Sequence, residues 1–245
     1  TTTLHSALDF INSPIRKIWT VEDPVEITQP GLRQVQVNPK AGYTFQEALR
    51  SFLRADPDVI MIGEMRDSET AQIGIQASLT GHLVLSTLHT NSAPETIVRL
   101  TEMGIDPLTF SDALLGILSQ RLTLKLCDHC KQSYHPDYEE YMELVNAYGA
   151  DWFKSHNMED YTDDLTLMKK VGCEKCDNSG YKGRIALHEL LMGTEQAKTA
   201  IKKQYCATKI KNQSLAENMK TMKMDGISKV FQGITILSQV LNVCN

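Results

Sequence analysis

Asp56-Pro57-Asp58-Val59-Ile60-Met61-Ile62-Gly63-Glu64-Met65-Arg66-Asp67, followed by Thr80-Gly81-His82-Leu83-Val84-Leu85-Ser86-Thr87-Leu88-His89-Thr90-Asn91-Ser92-Ala93, is the stretch whose reading decides the fold. Two short apolar runs, Val59 to Ile62 and Leu83 to Leu88, each end in polar or ionisable residues. Continuous apolar runs are the mark of strands buried on both faces, as in a parallel sheet. Polar residues just past their ends then collect along the carboxyl edge, where α/β sheets place their ligands. Between the runs, Ser68 to Leu79 reads as an amphipathic helix ended by Gly81. A strand, a crossover helix and a second strand make an α/β fold.

Working outward, the same alternation extends from the start of the chain to about residue 122. Thr1 to Asn12 reads as a helix, Lys17 to Val21 as a strand stopped by Pro24, and Arg33 to Val37 as another. Thr44 to Arg54 carries apolar residues at helical spacing behind a Thr44 N-cap, with Glu47 completing a capping box. Ala93 to Gly104 and Thr109 to Leu122 read as helices separated by Asp106-Pro107. From Cys127 to Gly183 the chain is acidic and weakly periodic, with Tyr138 to Tyr148 as a helix. An apolar run, Arg184 to Leu191, follows. Thr194 to Cys244 is mostly helical, with Gly226 and Gly233 as punctuation. The implied division is 1–122, an α/β core; 123–183, a tetracysteine module; and 184–245, a strand and helical tail.

The 245 residues, 42% hydrophobic, can bury a sizeable core. A net charge of −5 and a pI near 5.8 argue against a sequence-independent grip on nucleic acid, which depends on Lys and Arg neutralising phosphates. No stretch approaches the length of a membrane span. A cytoplasmic protein is expected, with no specific nucleic acid as partner.

Four of the six cysteines form two C-x-x-C pairs, Cys127/Cys130 and Cys173/Cys176, with 42 residues between Cys130 and Cys173. Two such knuckles can close tetrahedrally on Zn²⁺. With four thiolates there is no vacancy for a hydrolytic water, so the metal is structural. A redox dithiol is the alternative. His129, His135 and His188 are rival ligands by proximity in sequence.

Glu22, Asp23 and Glu26 follow the strand Ile18-Trp19-Thr20-Val21, and such a cluster suits either a magnesium-nucleotide site or a solvated acidic turn. Glu64, at the end of a buried strand, has the Walker B arrangement that positions magnesium and water near a γ-phosphate; a charge paired with Arg66 is the structural alternative. His82 and His89 differ by an odd number along the chain, so on an ideal strand they face opposite sides. His82 suits a satisfied buried histidine, and His89, at the carboxyl end, a γ-phosphate sensor. Arg50, Arg54, Arg66 and Arg99 are candidates for charge compensation. Thr1-Thr2-Thr3-Leu4-His5-Ser6-Ala7-Leu8 reads as the continuation of a P-loop, G-x-x-x-x-G-K-[ST], whose hydroxyl serves magnesium while its glycines and lysine lie upstream; a plain helix start is the alternative. The chain then reads as a fragment.

These segments together resemble the motor ATPases of type II secretion and type IV pilus assembly: the acidic "Asp box" at Glu22, a Walker B segment with Gly63 before Glu64, the "His box" from His82 to His89, and the cysteine knuckles. Further on, Gly180-Tyr181-Lys182-Gly183-Arg184-Ile185-Ala186-Leu187-His188-Glu189-Leu190 resembles that family's strand after the zinc module. Asp225-Gly226-Ile227-Ser228-Lys229-Val230 and Gly233-Ile234-Thr235 resemble its last helices, while Ser238-Gln239 departs from its acidic pattern. The resemblance implies a RecA-like P-loop NTPase core and ATP, Mg²⁺ and Zn²⁺ as cofactors. It implies catalytic roles for Glu22 as the base that orients water, for Glu64 and for His89. Thr1, Thr2, Asp23, Glu26, Arg66 and His82 would bind nucleotide, and Cys127, Cys130, Cys173 and Cys176 would hold the metal. It also implies a homo-hexamer working with an inner-membrane platform and a cytoplasmic adaptor in secretion or pilus extension, whose motors carry the tetracysteine module. A motor acting on nucleic acid and a zinc-stabilised, non-catalytic binding module are the alternatives.

Overall fold

A computed structural model describes residues 1–244. They form two compact units, one of Thr1–Leu115 with Gly193–Lys211, the other of Gly116–Met192 with the chain from Asn212 onward.

In the first unit, four strands, β1 (Ile18–Glu22), β2 (Leu32–Gln36), β3 (Val59–Ile62) and β4 (Leu83–Ser86), form a sheet in the order β2-β1-β3-β4. All neighbours are parallel, with Val21 opposite Ile62 and Ile62 opposite Ser86. β3 is buried throughout, as its uninterrupted apolar run requires. The period of two splits its side chains between the two faces. Ile60 and Ile62, with Val21, pack against Ala48, Leu49 and Phe52 of α2 (Phe45–Phe52) and Ala77 of α3 (Ser68–Leu79). Val59 and Met61, with Ile18, pack against Leu8 of α1 (Thr2–Ile11). Glu22 shares the parity of Ile18 and Thr20 and so belongs to the α1 face.

Side-chain oxygens close the helix starts, at Thr44 as the sequence leads one to expect. Thr44 Oγ1 accepts the Glu47 N–H at 3.4 Å, and Asp67 Oδ1 accepts that of Thr70 at 2.8 Å. Ser92 and Asp106 cap α4 (Ala93–Glu102) and α5 (Pro107–Ala113) in the same way. The expected helix over 109–122 is corrected. α5 ends at Ala113, and the chain enters β5 (Gly116–Leu126). Its apolar residues pair antiparallel with β8 (Tyr181–Met192), from Gly116 opposite Met192 to Leu124 opposite Arg184. This long-range pairing overrides a helical spacing that is legible only locally.

The second unit builds on that β5–β8 ribbon. A second two-stranded ribbon pairs β6 (Gln132–Tyr134) with β7 (Leu167–Lys169). α6 (Tyr138–Tyr148) and α7 (Ala150–Ser155) follow β6; after β8, α8 (Glu195–Lys202) belongs to the first unit, and α9 (Ala207–Ala216) spans the division after Lys211. α10 (Met222–Phe231) and α11 (Leu237–Cys244) end the described chain. Tyr141, Leu144, Leu167, Leu187, Ile227 and Val240 form part of its core.

Gly233 punctuates the chain as expected, with φ +66° after α10. Gly226 does not. It lies buried inside α10, where a Cβ would stand 2.5 Å from Val240 Cγ1 and 3.1 Å from Leu187 Cδ1. Its role is close approach of helix to helix and strand. Gly226→Ala sets a helix-propensity gain of about 1 kcal/mol against overpacking that costs about 1–3 kcal/mol in a well-packed core. Because Val240 is itself fully buried, overpacking is expected to outweigh the gain and the substitution to lower the urea midpoint; a raised midpoint would show that the contact yields.

Candidate functional site

The carboxyl edge of the parallel sheet gathers most of the acidic groups singled out above. Glu22 ends β1 and is 3% exposed. Its Oε1 accepts the Thr20 hydroxyl at 2.7 Å and Gln34 Nε2 at 3.1 Å. Its Oε2 lies 3.3 Å from His5 Nε2. The acidic cluster is therefore not one group of like charges: Glu22 turns inward to these partners, whereas Asp23 and Glu26 are exposed. The solvated turn and the buried acid are both present, in adjacent residues.

Gly63 explains the single glycine before Glu64. Its N–H donates to Val21 O at 2.8 Å, and a Cβ there would stand 3.2 Å from Val21 O and 3.3 Å from Glu22 Cα. Any side chain at 63 would press on the backbone that carries Glu22. The extension past β3 is tied to the extension past β4, since Met65 N–H donates to Thr87 O at 3.0 Å and Thr87 Oγ1 to Gly63 O at 2.5 Å.

Glu64 emerges from this tie with its side chain 14% exposed. Arg66 donates to Glu64 Oε1, and His89 Nε2 lies 3.4 Å from Glu64 Oε2. The Arg66 hydrogen bond is the main influence holding the Glu64 carboxyl below its ordinary range; burial opposes it, and His89 acts in the same direction as Arg66. Thus Glu64, Arg66 and His89 form one exposed-edge cluster beside Glu22.

The α1 helix runs antiparallel to β1, since His5 meets Glu22 at the strand's end while Leu8 packs near Ile18 at its beginning. Thr1 and Thr2, exposed at the start of α1, are thereby carried toward the carboxyl edge. There the first-turn amides and the positive end of the helix dipole favour an anion. His82 stands elsewhere. It precedes β4 at the amino end of the strand, with Nδ1 2.9 Å from the Ala77 carbonyl and 3.2 Å from Thr80 Oγ1, so the fold does not bring it to the other candidates. Arg50 is engaged by Glu47 and Glu69 at 2.8 and 2.6 Å, and Arg99 by Glu102 at 3.9 Å. His5, Thr20, Gln29 and Gln34 are the site residues that reading by motif missed. The parity of 18, 20 and 22 was the available signal, because it puts Thr20 and Glu22 on one face.

In the second unit the four knuckle cysteines converge, their Sγ atoms all within 4.8 Å of one another. Thiolates bound tetrahedrally at about 2.3 Å stand about 3.8 Å apart. Cys130 Sγ and Cys173 Sγ each lie 3.8 Å from Cys176 Sγ. Burial disfavours the Cys176 thiolate, but the Cys173 and Gly180 amides donate to its sulfur at 3.2 and 3.3 Å and bring its pKa down to about 6. Burial pushes the Cys130 thiol up to about 11. Gly172, at φ +125°, keeps the second knuckle tight, since a Cβ there would meet Asn178 O at 2.8 Å. His135 is not a ligand here; its Nδ1 bonds the Leu165 carbonyl at 2.8 Å. The set of soft donors and their spacing fit a four-thiolate metal centre.

The molecule therefore combines a parallel α/β core, acidic groups assembled at its carboxyl edge, with a tetracysteine cluster in a second unit. It belongs to the type II/IV secretion system protein family, whose model matches residues 1–242. The chain is 48% identical over 239 residues to the type IV pilus assembly ATPase PilB of Thermus thermophilus, covering 98% of this chain and 26% of that protein. It is 46% identical over 242 residues to the type II secretion system protein E of Dickeya dadantii, covering 99% and 45% respectively. Among solved structures, the pilus retraction motor PilT with bound ADP superposes with a TM-score of 0.68 at 27% identity, covering 99% of this chain and 57% of that one. The chain thus spans less than half the length of these two curated relatives. No helix among the described residues is long and apolar enough to cross a membrane.

The Glu64 cluster has a pH signature. A carboxyl whose folded-state pKa is depressed adds stability that is present above its unfolded value, about 4.3, and is lost as pH falls through the folded value. In Arg66→Gln the Glu64 carboxyl, followed by NMR titration, is expected to move upward and that share of acid sensitivity to shrink. An unmoved titration would mean that Arg66 is not its main partner in solution.

Proposed function

We propose that this chain is the nucleotide-hydrolysing part of a motor subunit that powers assembly of a pilus or pseudopilus, and with it protein secretion across the bacterial envelope. The reading is carried by one observation: a buried Glu22 held by three side chains beside Gly63-Glu64 at the carboxyl edge, in a chain of the secretion ATPase family. The core is then RecA-like, and ATP with Mg²⁺ binds along that edge.

In this reading Glu22 orients and deprotonates the attacking water, a role suited to a carboxylate fixed by three donors. Glu64, supported by Arg66, holds magnesium, whose chemistry is to neutralise charge on the phosphates. His89 reports the γ-phosphate by gaining or losing a hydrogen bond. Thr1 and Thr2 contribute hydroxyls at the start of α1, and Asp23 and Glu26 line the exposed rim. For His82, the contact with Ala77 favours support of the turn before β4. Cys127, Cys130, Cys173 and Cys176 hold a structural Zn²⁺. The working unit is a homo-hexamer at the cytoplasmic side of the inner membrane, engaged by a platform protein and a cytoplasmic adaptor. The acidic net charge disfavours a nucleic-acid track.

The deciding experiment uses a version of the protein in which a glycine-rich phosphate-binding loop is placed before Thr1. Glu22→Gln is expected to bind a nonhydrolysable ATP analogue normally and to turn over at least about 100-fold more slowly, as for loss of a general base. Glu64→Gln is expected to weaken magnesium-dependent binding as well, because a metal-supporting carboxylate acts already in the ground state. Parental hydrolysis by Glu22→Gln would return Glu22 to a purely structural role.

The metal is tested separately. Protein purified without chelator is expected to hold about one equivalent of zinc, and Cys127→Ser to lose it together with thermal stability, since binding and folding of such sites are coupled. Unchanged zinc content in Cys127→Ser would rule out the four-thiolate centre.

A further inference from the structure

The side chains around Glu22 leave only one hydrogen-bond direction open, and the surrounding backbone settles the rest. Gln34 Oε1 accepts the Gln29 amide N–H at 2.7 Å, so the Gln34 Nε2 end faces the Ile27 carbonyl at 2.8 Å and Glu22 Oε1 at 3.1 Å. Gln29 Nε2 donates to the His5 carbonyl at 3.0 Å, so Gln29 Oε1 is the atom that faces His5 Nδ1 at 2.7 Å. A backbone carbonyl cannot donate and a backbone N–H cannot accept, which fixes both amide orientations. An amide oxygen only accepts. His5 Nδ1 therefore carries a hydrogen.

That assignment decides the other side of the ring. With the hydrogen on Nδ1 alone, Nε2 would present a lone pair to Glu22 Oε2 at 3.3 Å, in a place where the two side chains are 3% and 4% exposed. Two acceptors facing each other in a buried site have no compensating partner. A hydrogen must therefore lie between Nε2 and Oε2; the Thr20 and Gln34 hydrogen bonds to Oε1 favour the ionised carboxylate, which leaves that hydrogen on Nε2.

We propose that His5 is a positioning residue for Glu22, donating from both ring nitrogens so that a Gln29–His5–Glu22 chain fixes the carboxylate. The charged imidazole also offsets the cost of burying the Glu22 charge. Three of the roughly four acceptor positions of an ionised carboxylate are then taken. The one left, on Oε2, is where a water is held. This rests on the reading of Glu22 as the general base. In that step a water O–H bond breaks and an O–H bond forms on Oε2, while both hydrogens of His5 stay where they are. The arrangement follows the logic in which a catalytic base is itself oriented by a third group.

Two measurements test it, and they fail independently of each other. On this chain, long-range ¹H–¹⁵N correlation of labelled histidines near neutral pH is expected to show hydrogen on both nitrogens of His5, with the signal assigned by its disappearance in His5→Gln. A bare Nε2 or Nδ1 overturns the proposal without touching the role of Glu22. In the protein that carries the upstream loop, His5→Phe is expected to lower kcat about 10-fold or more, with KM within about twofold. His5→Gln, which keeps an amide donor, is expected to regain much of the loss. Equal losses in the two variants, or a shift in KM alone, would show that His5 merely fills space. Parental activity in Glu22→Gln ends the base reading, and with it the positioning role, whatever the ring nitrogens show.

Discussion

The parallel register between β1 and β3 is the constraint on which the rest of the site depends. Val21 stands opposite Ile62, so the next residues on each strand, Glu22 and Gly63, emerge side by side at the carboxyl edge. At this separation the backbone of one residue occupies the space a Cβ would need on the other, and glycine is the solution at 63. Once Gly63 is in place, Glu64 follows as the second residue beyond β3, where Arg66 and His89 can reach it. A slip of one residue would turn Glu22 onto the opposite face, away from α1.

Two acids one residue apart in sheet register thus occupy different environments. Glu22 is removed from solvent and held by neutral donors and an imidazole, all from side chains within its own unit. Glu64 keeps contact with solvent and is held by an exposed guanidinium, an interaction that salt screens. The first arrangement is rigid by burial, the second adjustable.

The cysteine cluster solves a related problem by other means. Its thiolates are stabilised through backbone amides, with the Cys173 and Gly180 N–H groups pointing at the Cys176 sulfur. Tight turns aim those amides, and Asp177 and Asn178 lie in the left-handed region at φ +50° and +57°. Burial pushes the Cys130 thiol up, while the amides aimed at Cys176 outweigh its burial and bring that thiol down.

Much of this was legible in the sequence because it is local. The strand Val59–Ile62 and the helices over 68–79 and 138–148 follow from apolar runs, spacing and caps, and C-x-x-C spacing announces a converging cysteine set. Glu22 and Glu64 were visible as acids at strand ends. What local pattern could not decide was long-range pairing: 116–122 became a strand only because β8 lies beside it, and Gly226 sits inside a helix only because Val240 and Leu187 crowd it there. Likewise, no spacing in the chain joins His5 to Glu22. Residue type and short periodicity set which groups are available and which elements form, whereas the partners of a buried polar group are chosen by burial, since only side chains brought within reach by packing can satisfy it.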